Sequence, residues 1–205
     1  MEWCEVPKRA NEVLENYILG SLERMKKLLI VGAGEYGQLV RELAFDCGYQ
    51  KVEFLDDNSS LAVGKVNDYT LFKDEYSEFI VAIGNPASRR NAVSKLEKDF
   101  KLVSLIHPRA YISYTAEIGS GSIVEACSAI NTGAVLGKCS FVNAGAIVNH
   151  NSSVGEYSQI DCNAVVAARA EVPPETKVFS CTVWNRKFEM PVGDGTFLDF
   201  NNNSN

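Results

Sequence analysis

Every sixth residue from Ile112 to Val178 is Ile, Leu or Val, and two residues before each, from Ala110 to Thr176, stands only Ala, Ser or Thr. An α-helix repeats every ~3.6 residues and a lone strand every second residue, so neither keeps a six-residue stripe on one side. A strict hexad instead requires short parallel strands winding as a β-helix of triangular section, the hexapeptide-repeat solenoid. Each aliphatic residue then points to the axis, and each small residue fits where the chain bends onto the next face. Three hexads close one coil, so residues 112–178 supply nearly four coils, each burying its core against its neighbours.

The upstream segment follows a different grammar. Short β-rich runs at Leu28–Val31, Val52–Leu55, Phe79–Ile83 and Leu102–Leu105 alternate with helical stretches at Tyr36–Cys47 and Pro86–Asp99. Such alternation implies a parallel sheet. Residues 25–108 therefore read as a half-sized Rossmann-like α/β domain, followed by an all-β solenoid over 109–187. Residues 1–24 place Val13, Leu14, Tyr17, Ile18 and Leu22 at helical spacing and read as a helical extension. Residues 188–205 read as a tail whose final Asn run is disordered.

The net charge of −6 and pI of about 5.1 argue against nucleic acid or an anionic membrane as partner. The longest apolar runs, "LLIVGAG" and "FIVAIG", fall far short of a membrane span, and the N-terminus lacks a secretory pattern. Six cysteines with no CxxC pair read as small buried thiols in a reducing cytoplasm, without a zinc ligand cluster.

Two places carry chemistry. The first is "VGAGEYG", whose Gly32, Gly34 and Gly37 complete a GxGxxG between a strand and a helix. Glycines there allow a tight turn and bring backbone N–H groups and a helix N-terminus up to phosphate. Asp56 ends the second strand 19 residues after Gly37, where an acidic residue bonds a ribose hydroxyl. NAD(P) binding by an oxidoreductase is one reading; the missing second mononucleotide half speaks against it. The second place is His150, two residues after the axial Val148. Imidazole titrates near neutral pH and is the usual general base. The other histidine, His107, precedes Pro108 and reads as a shaper of the junction. Two histidines fall short of the three-histidine zinc site of the carbonic anhydrases built on this solenoid.

A Rossmann-like half followed by a hexad solenoid with "VNH" in its middle resembles the NeuD/PglD-type sugar acetyltransferases, over about residues 26–187. The resemblance implies a left-handed parallel β-helix and a homotrimer with active sites between subunits. It also implies acetyl-CoA as co-substrate, no metal, and a UDP-linked amino sugar held by the N-terminal domain. In that family Gly32, Gly34 and Gly37 would hold the diphosphate, and Asp56, Asp57 and Asn58 the uridine end. The turn "AIGNPASR" would add Gly84, Asn85 and Arg89. His150 would take the proton from the sugar nucleophile, Asn143 would position substrate or histidine, and the Ala168 N–H would meet the oxyanion. Two residues depart from the pattern: Asn151 stands where a carboxylate follows the base, and Gln159 replaces a second histidine near the thioester. The Asn151 amide carries no charge, so the lift on His150 is weaker unless Glu125 or Asp161 substitutes in space. The implied reaction is acetyl transfer for surface glycan synthesis, onto nitrogen rather than oxygen because an amine is the easier nucleophile. A hexad scaffold that has lost activity is the rival from another class.

Overall fold

The computed structural model describes residues 25–185 and the short antiparallel pair Met190–Pro191 with Phe197–Leu198. The helix expected within 1–24 and the Asn run of the tail lie outside the described residues.

The first unit runs β1 (Lys27–Val31), α1 (Glu35–Asp46), β2 (Lys51–Leu55), β3 (Ala62–Gly64), β4 (Glu78–Val81), α2 (Pro86–Leu96) and β5 (Lys101–Leu102). These strands form one sheet in the order β3-β2-β1-β4-β5, with every pairing parallel. Leu28 to Val31 and Phe79 to Val81 are buried, as expected of strands covered on both faces. Helix α1 turns Gly37, Val40, Leu43 and Ala44 inward at helical spacing. The strand order reverses between β1 and β4, and the crevice beyond their carboxyl ends is where open parallel sheets bind ligands. Edge strand β3 and the 3-10 turn at Val66–Phe72 have no counterpart in the sequence reading. A three-residue edge strand leaves too short a pattern to read.

The second unit is a parallel β-helix of two-residue rungs in three sheets. Its faces take rungs beginning at 105, 123, 141, 159 and 177 (face 1), at 111, 129, 147, 165 and 183 (face 2), and at 117, 135, 153 and 171 (face 3). The first rung, Leu105–Ile106, pairs with Ile123–Val124, so the solenoid starts upstream of the boundary expected at 108/109. The reason is that Ser104 and Ile106 continue the hexad register by one step. The axial residues from Val124 to Val178 form one buried cluster. The small residues turn the corners, and several spend their hydroxyls on neighbouring carbonyls, as Ser140 does on Gly155 at 3.0 Å and Ser158 on Pro173 at 2.8 Å. Every sixth residue from Gly121 (φ +76°) to Cys181 (φ +60°) takes the left-handed conformation, so the prism edges recur with the same period as the core.

The three faces differ in what covers them. Leu105, Ile123 and Phe141 of face 1 are buried in the core of the α/β unit. Face 3 presents Glu117, Val135, Ser153 and Glu171 outward. Face 2 presents Tyr111, Ala129, Ile147, Val165 and Val183, an apolar strip that is half-buried or exposed. The cysteines correct the expectation of buried thiols: Cys139 is buried and Cys47 half-buried, but Cys127, Cys162 and Cys181 are exposed. Cys127, Cys139 and Cys181 all occupy left-handed edge positions, and Cys162 lies beside another; Cys139 is buried because its edge packs in a cluster with residues of the α/β unit.

Candidate active site

The glycine loop, the β2 loop and the β4–α2 turn all lie at the carboxyl ends of their strands, around the switch point. The three glycines serve different ends. Gly32 has φ +105°, and a Cβ there would lie 3.0 Å from the Ala82 carbonyl oxygen. A Cβ on Gly37 would meet the Gly32 carbonyl at 2.1 Å, so this glycine lets α1 press against the loop. A Cβ on Gly34 would meet nothing within 4 Å. Gly34 is the glycine that leaves open room, at the first turn of α1.

Asp56 accepts from the backbone N–H groups of Ala33 (2.8 Å), Asn58 (2.8 Å) and Ser59 (3.0 Å). Those bonds, the one from Ala33 foremost, hold its carboxyl below the ordinary range. Its observed work is therefore to brace the glycine loop against the β2 loop. Asp57 accepts from the Val66 N–H at 3.0 Å and stays exposed, as does Asn58. Gly84 borders open space, and Asn85 caps α2 by accepting from Ser88 N–H at 2.9 Å.

Arg89 corrects an expectation. It is fully buried and donates from Nη1 to the carbonyls of Ile83 (2.6 Å) and Gly84 (3.2 Å), and from Nη2 to the Tyr157 carbonyl. In this structure it ties the β4–α2 turn to the solenoid rather than facing the crevice. An arginine one turn into a helix reads identically in sequence whether it points out or in.

His150 is exposed at the edge between faces 2 and 3. Its N–H donates to Asn149 Oδ1 at 2.7 Å, and its Nδ1 lies 3.2 Å from Asn151 Nδ2. Asn151 has φ +54°, and asparagine adopts that conformation more readily than most residues. Ala168 stacks one coil beyond His150, joined through the Arg169 N–H bond to the His150 carbonyl at 3.1 Å. The Ala168 N–H has no partner among the described residues.

Asn143 and Gln159 lie elsewhere. Asn143 follows its rung at the edge between faces 1 and 2, with Glu125 one coil before it and Asp161 one coil after. Asp161 accepts from Gln159 Nε2 at 2.8 Å, and Gln159 points outward from face 1 beside the α/β unit. Neither Glu125 nor Asp161 substitutes for the carboxylate missing beside His150 within one chain, because both stand on a different edge of the prism. His107 sits at the unit junction as expected: Nδ1 accepts from Arg109 N–H at 2.9 Å, and Nε2 lies 3.2 Å from Asp46 Oδ2. Sequence reasoning did not bring out Tyr36, the second residue of α1, whose ring packs on Phe141 at 5.2 Å. Its signal was its place inside the glycine motif. Among the described residues no helix is long and apolar enough to cross a membrane, and no group of three or more His, Cys, Asp or Glu could hold a metal ion.

Comparison with known proteins bears on this geometry. The model of the PglD N-terminal domain matches residues 27–96. UDP-N-acetylbacillosamine N-acetyltransferase of Bacillus subtilis (strain 168) is 31% identical over 115 residues, taking in 50% of this chain and 52% of that protein. The chain thus matches about half the length of this curated relative. The acetyltransferase domain of PglB from Neisseria gonorrhoeae FA1090, solved in complex with acetyl coenzyme A, is similar with a TM-score of 0.67 at 28% identity. That match covers 78% of this chain and 93% of the other. PerB from Caulobacter crescentus, solved with CoA and GDP-perosamine, shares the fold with a TM-score of 0.62 at 22% identity, over 77% of this chain and 90% of its own.

A parallel β-helix of hexads, bearing an α/β unit whose glycine loop opens at the switch point, defines a hexapeptide-repeat protein with the architecture of the acetyltransferases it resembles. Within that class, residues 27–96 match the PglD N-terminal domain, and the chain is similar to the NeuD/PglD-type sugar acetyltransferases.

Proposed function

We propose that the protein transfers the acetyl group of acetyl-CoA to the amine of a UDP-linked amino sugar destined for a surface glycan. His150 is the general base, and the site is completed between subunits of a homotrimer. The observation that carries this reading is the placement of two edges. Face 2 is an uncovered apolar strip, with His150 on the edge toward face 3 and Asn143 on the edge toward face 1. Exposed apolar strips of this kind mark contact surfaces. Three chains closing a ring through face 2 bring the His150 edge of one protomer to the Asn143 edge and glycine loop of its partner. The named activity of the relatives and the ligands of the solved neighbours support the substrates. Their fold supports a left-handed coil and a Rossmann-like half-domain.

The residues then divide the chemistry. Gly34, with no protein atom near its missing Cβ, admits the diphosphate to the first turn of α1. The amine attacks the thioester carbonyl as His150 takes its proton. The Ala168 N–H donates to the tetrahedral oxyanion. That attack forms the C–N bond; collapse restores the carbonyl, breaks the C–S bond, and lets His150 return the proton to the leaving thiolate. For His150 Nε2 to accept the proton, Nδ1 must carry the other hydrogen, and Asn151 must face it with its amide oxygen.

The test is release of free thiol from acetyl-CoA on adding a panel of UDP-amino sugars, wild type against His150→Ala. Release that depends on His150 is expected. If no sugar elicits thiol from the wild type, the reading fails and the scaffold reading, which Asn151 and Gln159 favour, replaces it.

A further inference from the structure

The edge that carries Asn143 buries a set of polar atoms to which the proton and oxyanion steps above give no partner. Glu125, Asn143 and Asp161 stack there coil upon coil, with relative exposures of 6%, 8% and 9%. Asp161 is well partnered: Oδ1 accepts from Gln159 Nε2 at 2.8 Å and Asn143 Nδ2 at 3.5 Å, and Oδ2 pairs with Lys177 Nζ at 3.1 Å. Glu125 is not. Its Oε2 accepts from the Ala144 N–H at 3.0 Å, but neither its Oε1, nor Asn143 Oδ1, nor the Tyr36 hydroxyl makes a well-formed hydrogen bond, although the Tyr36 hydroxyl lies close enough to the Glu125 carboxyl to act on it. Glu125, Ala126 and Ala144 also line a cleft against Leu39 and Leu43 of α1, the helix that begins at the glycine loop.

A buried carboxylate oxygen without a partner costs several kcal/mol, so it persists where something supplies the partner. Burial pushes the Glu125 carboxyl above its ordinary range, against the downward pull of the Ala144 N–H and the Tyr36 hydroxyl, and the nearby Asp161 adds to the rise; a cation in contact would oppose it. Two of the three unpartnered atoms, Glu125 Oε1 and Asn143 Oδ1, only accept. A single ligand atom that reaches both, stacked one coil apart on the same edge, needs two hydrogens. A hydroxyl offers one; an amine offers two, and an ammonium three with a positive charge.

We infer that Glu125 determines acceptor specificity: with Asn143 Oδ1 and the Tyr36 hydroxyl, its Oε1 receives the amine of the incoming sugar in its cationic form and selects amino sugars over hydroxyl sugars. The inference rests on the nucleotide-amino-sugar reading above and concerns recognition, not the transfer step. The wild-type residue is well suited to be probed by Glu125→Gln. The amide oxygen can keep the Ala144 bond, and its NH2 then stands where the acceptor stood.

The experiment measures binding by calorimetry, using UDP-amino sugars with the amine at each ring position, each against its hydroxyl counterpart and against UDP alone. The wild type is expected to prefer one amino sugar over its counterpart by roughly tenfold or more, the scale of a hydrogen bond to a charged group. Glu125→Gln should erase that preference and leave UDP affinity unchanged, and Tyr36→Phe should reduce it. The preference should also fall as pH rises through the titration of the sugar amine. A Glu125→Gln chain that discriminates as well as the wild type overturns the inference while leaving the acetyltransferase reading in place. A wild type that binds none of the UDP-amino sugars overturns both.

Discussion

The guanidinium carbon of Arg89 lies 4.0 Å from the centroid of the Phe141 ring, which fastens α2 of the α/β unit to face 1 of the solenoid. The contact matters because Arg89 also satisfies the carbonyls of Ile83 and Gly84 in its own unit and that of Tyr157 across the joint. Arg89→Ala leaves those carbonyls without their donor and opens a cavity, at a cost of about 3 kcal/mol or more. Arg89→Lys keeps the charge but loses the planar fork, so it recovers only part. Urea denaturation with paired probes, one in each unit, should show the midpoint fall in both variants, furthest in the alanine one.

Gly37 and Gly34 should separate folding from binding. An alanine Cβ at 37 collides with the Gly32 carbonyl at 2.1 Å and must displace α1 or the loop, so Gly37→Ala lowers stability sharply. An alanine at 34 meets no protein atom within 4 Å. Gly34→Ala should shift stability by no more than about 0.5–1 kcal/mol while raising KM for the nucleotide sugar and sparing KM for acetyl-CoA. Thermal melts beside two-substrate kinetics make the comparison. A Gly34→Ala enzyme with an unchanged sugar KM would take the loop out of the site.

The buried Glu125 should leave a trace in stability against pH. Its carboxyl is raised in the fold, so the folded chain holds the proton more tightly than the unfolded one. Below about pH 4, both states are protonated and Glu125→Gln matches the wild type. As pH rises, the unfolded chain ionises first and the wild type loses stability until the folded group has ionised too. The advantage of Glu125→Gln should therefore grow from acid toward neutral pH and then level off. Denaturation curves across that range check the sign, and an advantage largest in acid would contradict it.

The solenoid was legible because a six-residue stripe admits one architecture, and the stripe also fixed which residues face the axis. The neighbour of each axial residue held a weaker signal. From Ser113 to Phe179 that position carries a carboxylate only at Glu125 and Asp161, the two acidic groups buried on one edge. What stayed illegible was which edge faces which. His150 and Asn143 are seven residues apart in sequence, yet a whole face lies between them. Arg89 misled for the same reason: a motif records spacing along the chain, whereas the helix it sits on turned that side chain against Phe141.

Asn151 answers two demands that the family ordinarily meets with one carboxylate. Its left-handed φ of +54° suits asparagine and is open to aspartate, so Asn151→Asp should fold normally. An aspartate beside His150 Nδ1 fixes the hydrogen there and leaves Nε2 to accept, where the amide must first present its oxygen. Asn151→Asp is thus expected to raise kcat, by roughly tenfold, with little change in either KM, whereas Asn151→Ala should lower it. Steady-state rates at saturating substrates decide; a fall in kcat for the aspartate variant would mean that the amide geometry is itself used.

Because His150 and Asn143 occupy opposite borders of face 2, inactive chains should repair one another. His150→Ala keeps an intact Asn143 edge, and Asn143→Ala keeps an intact His150 edge. In the ring proposed above, each site would pair the His150 edge of one protomer with the Asn143 edge of its partner. Equal random mixing therefore restores an intact pairing at roughly one site in four. Co-expression of the two variants, followed by the thiol-release assay, should recover about that fraction of wild-type activity, while each variant alone stays near background. Adding Ile147→Lys to both chains places a charge in the apolar strip of face 2 and should abolish the recovery. Light scattering on the same samples should then show the ring falling to single chains. Full independence of the two variants, with no recovery on mixing, would mean that each chain builds its site alone, which the separation of the two edges argues against.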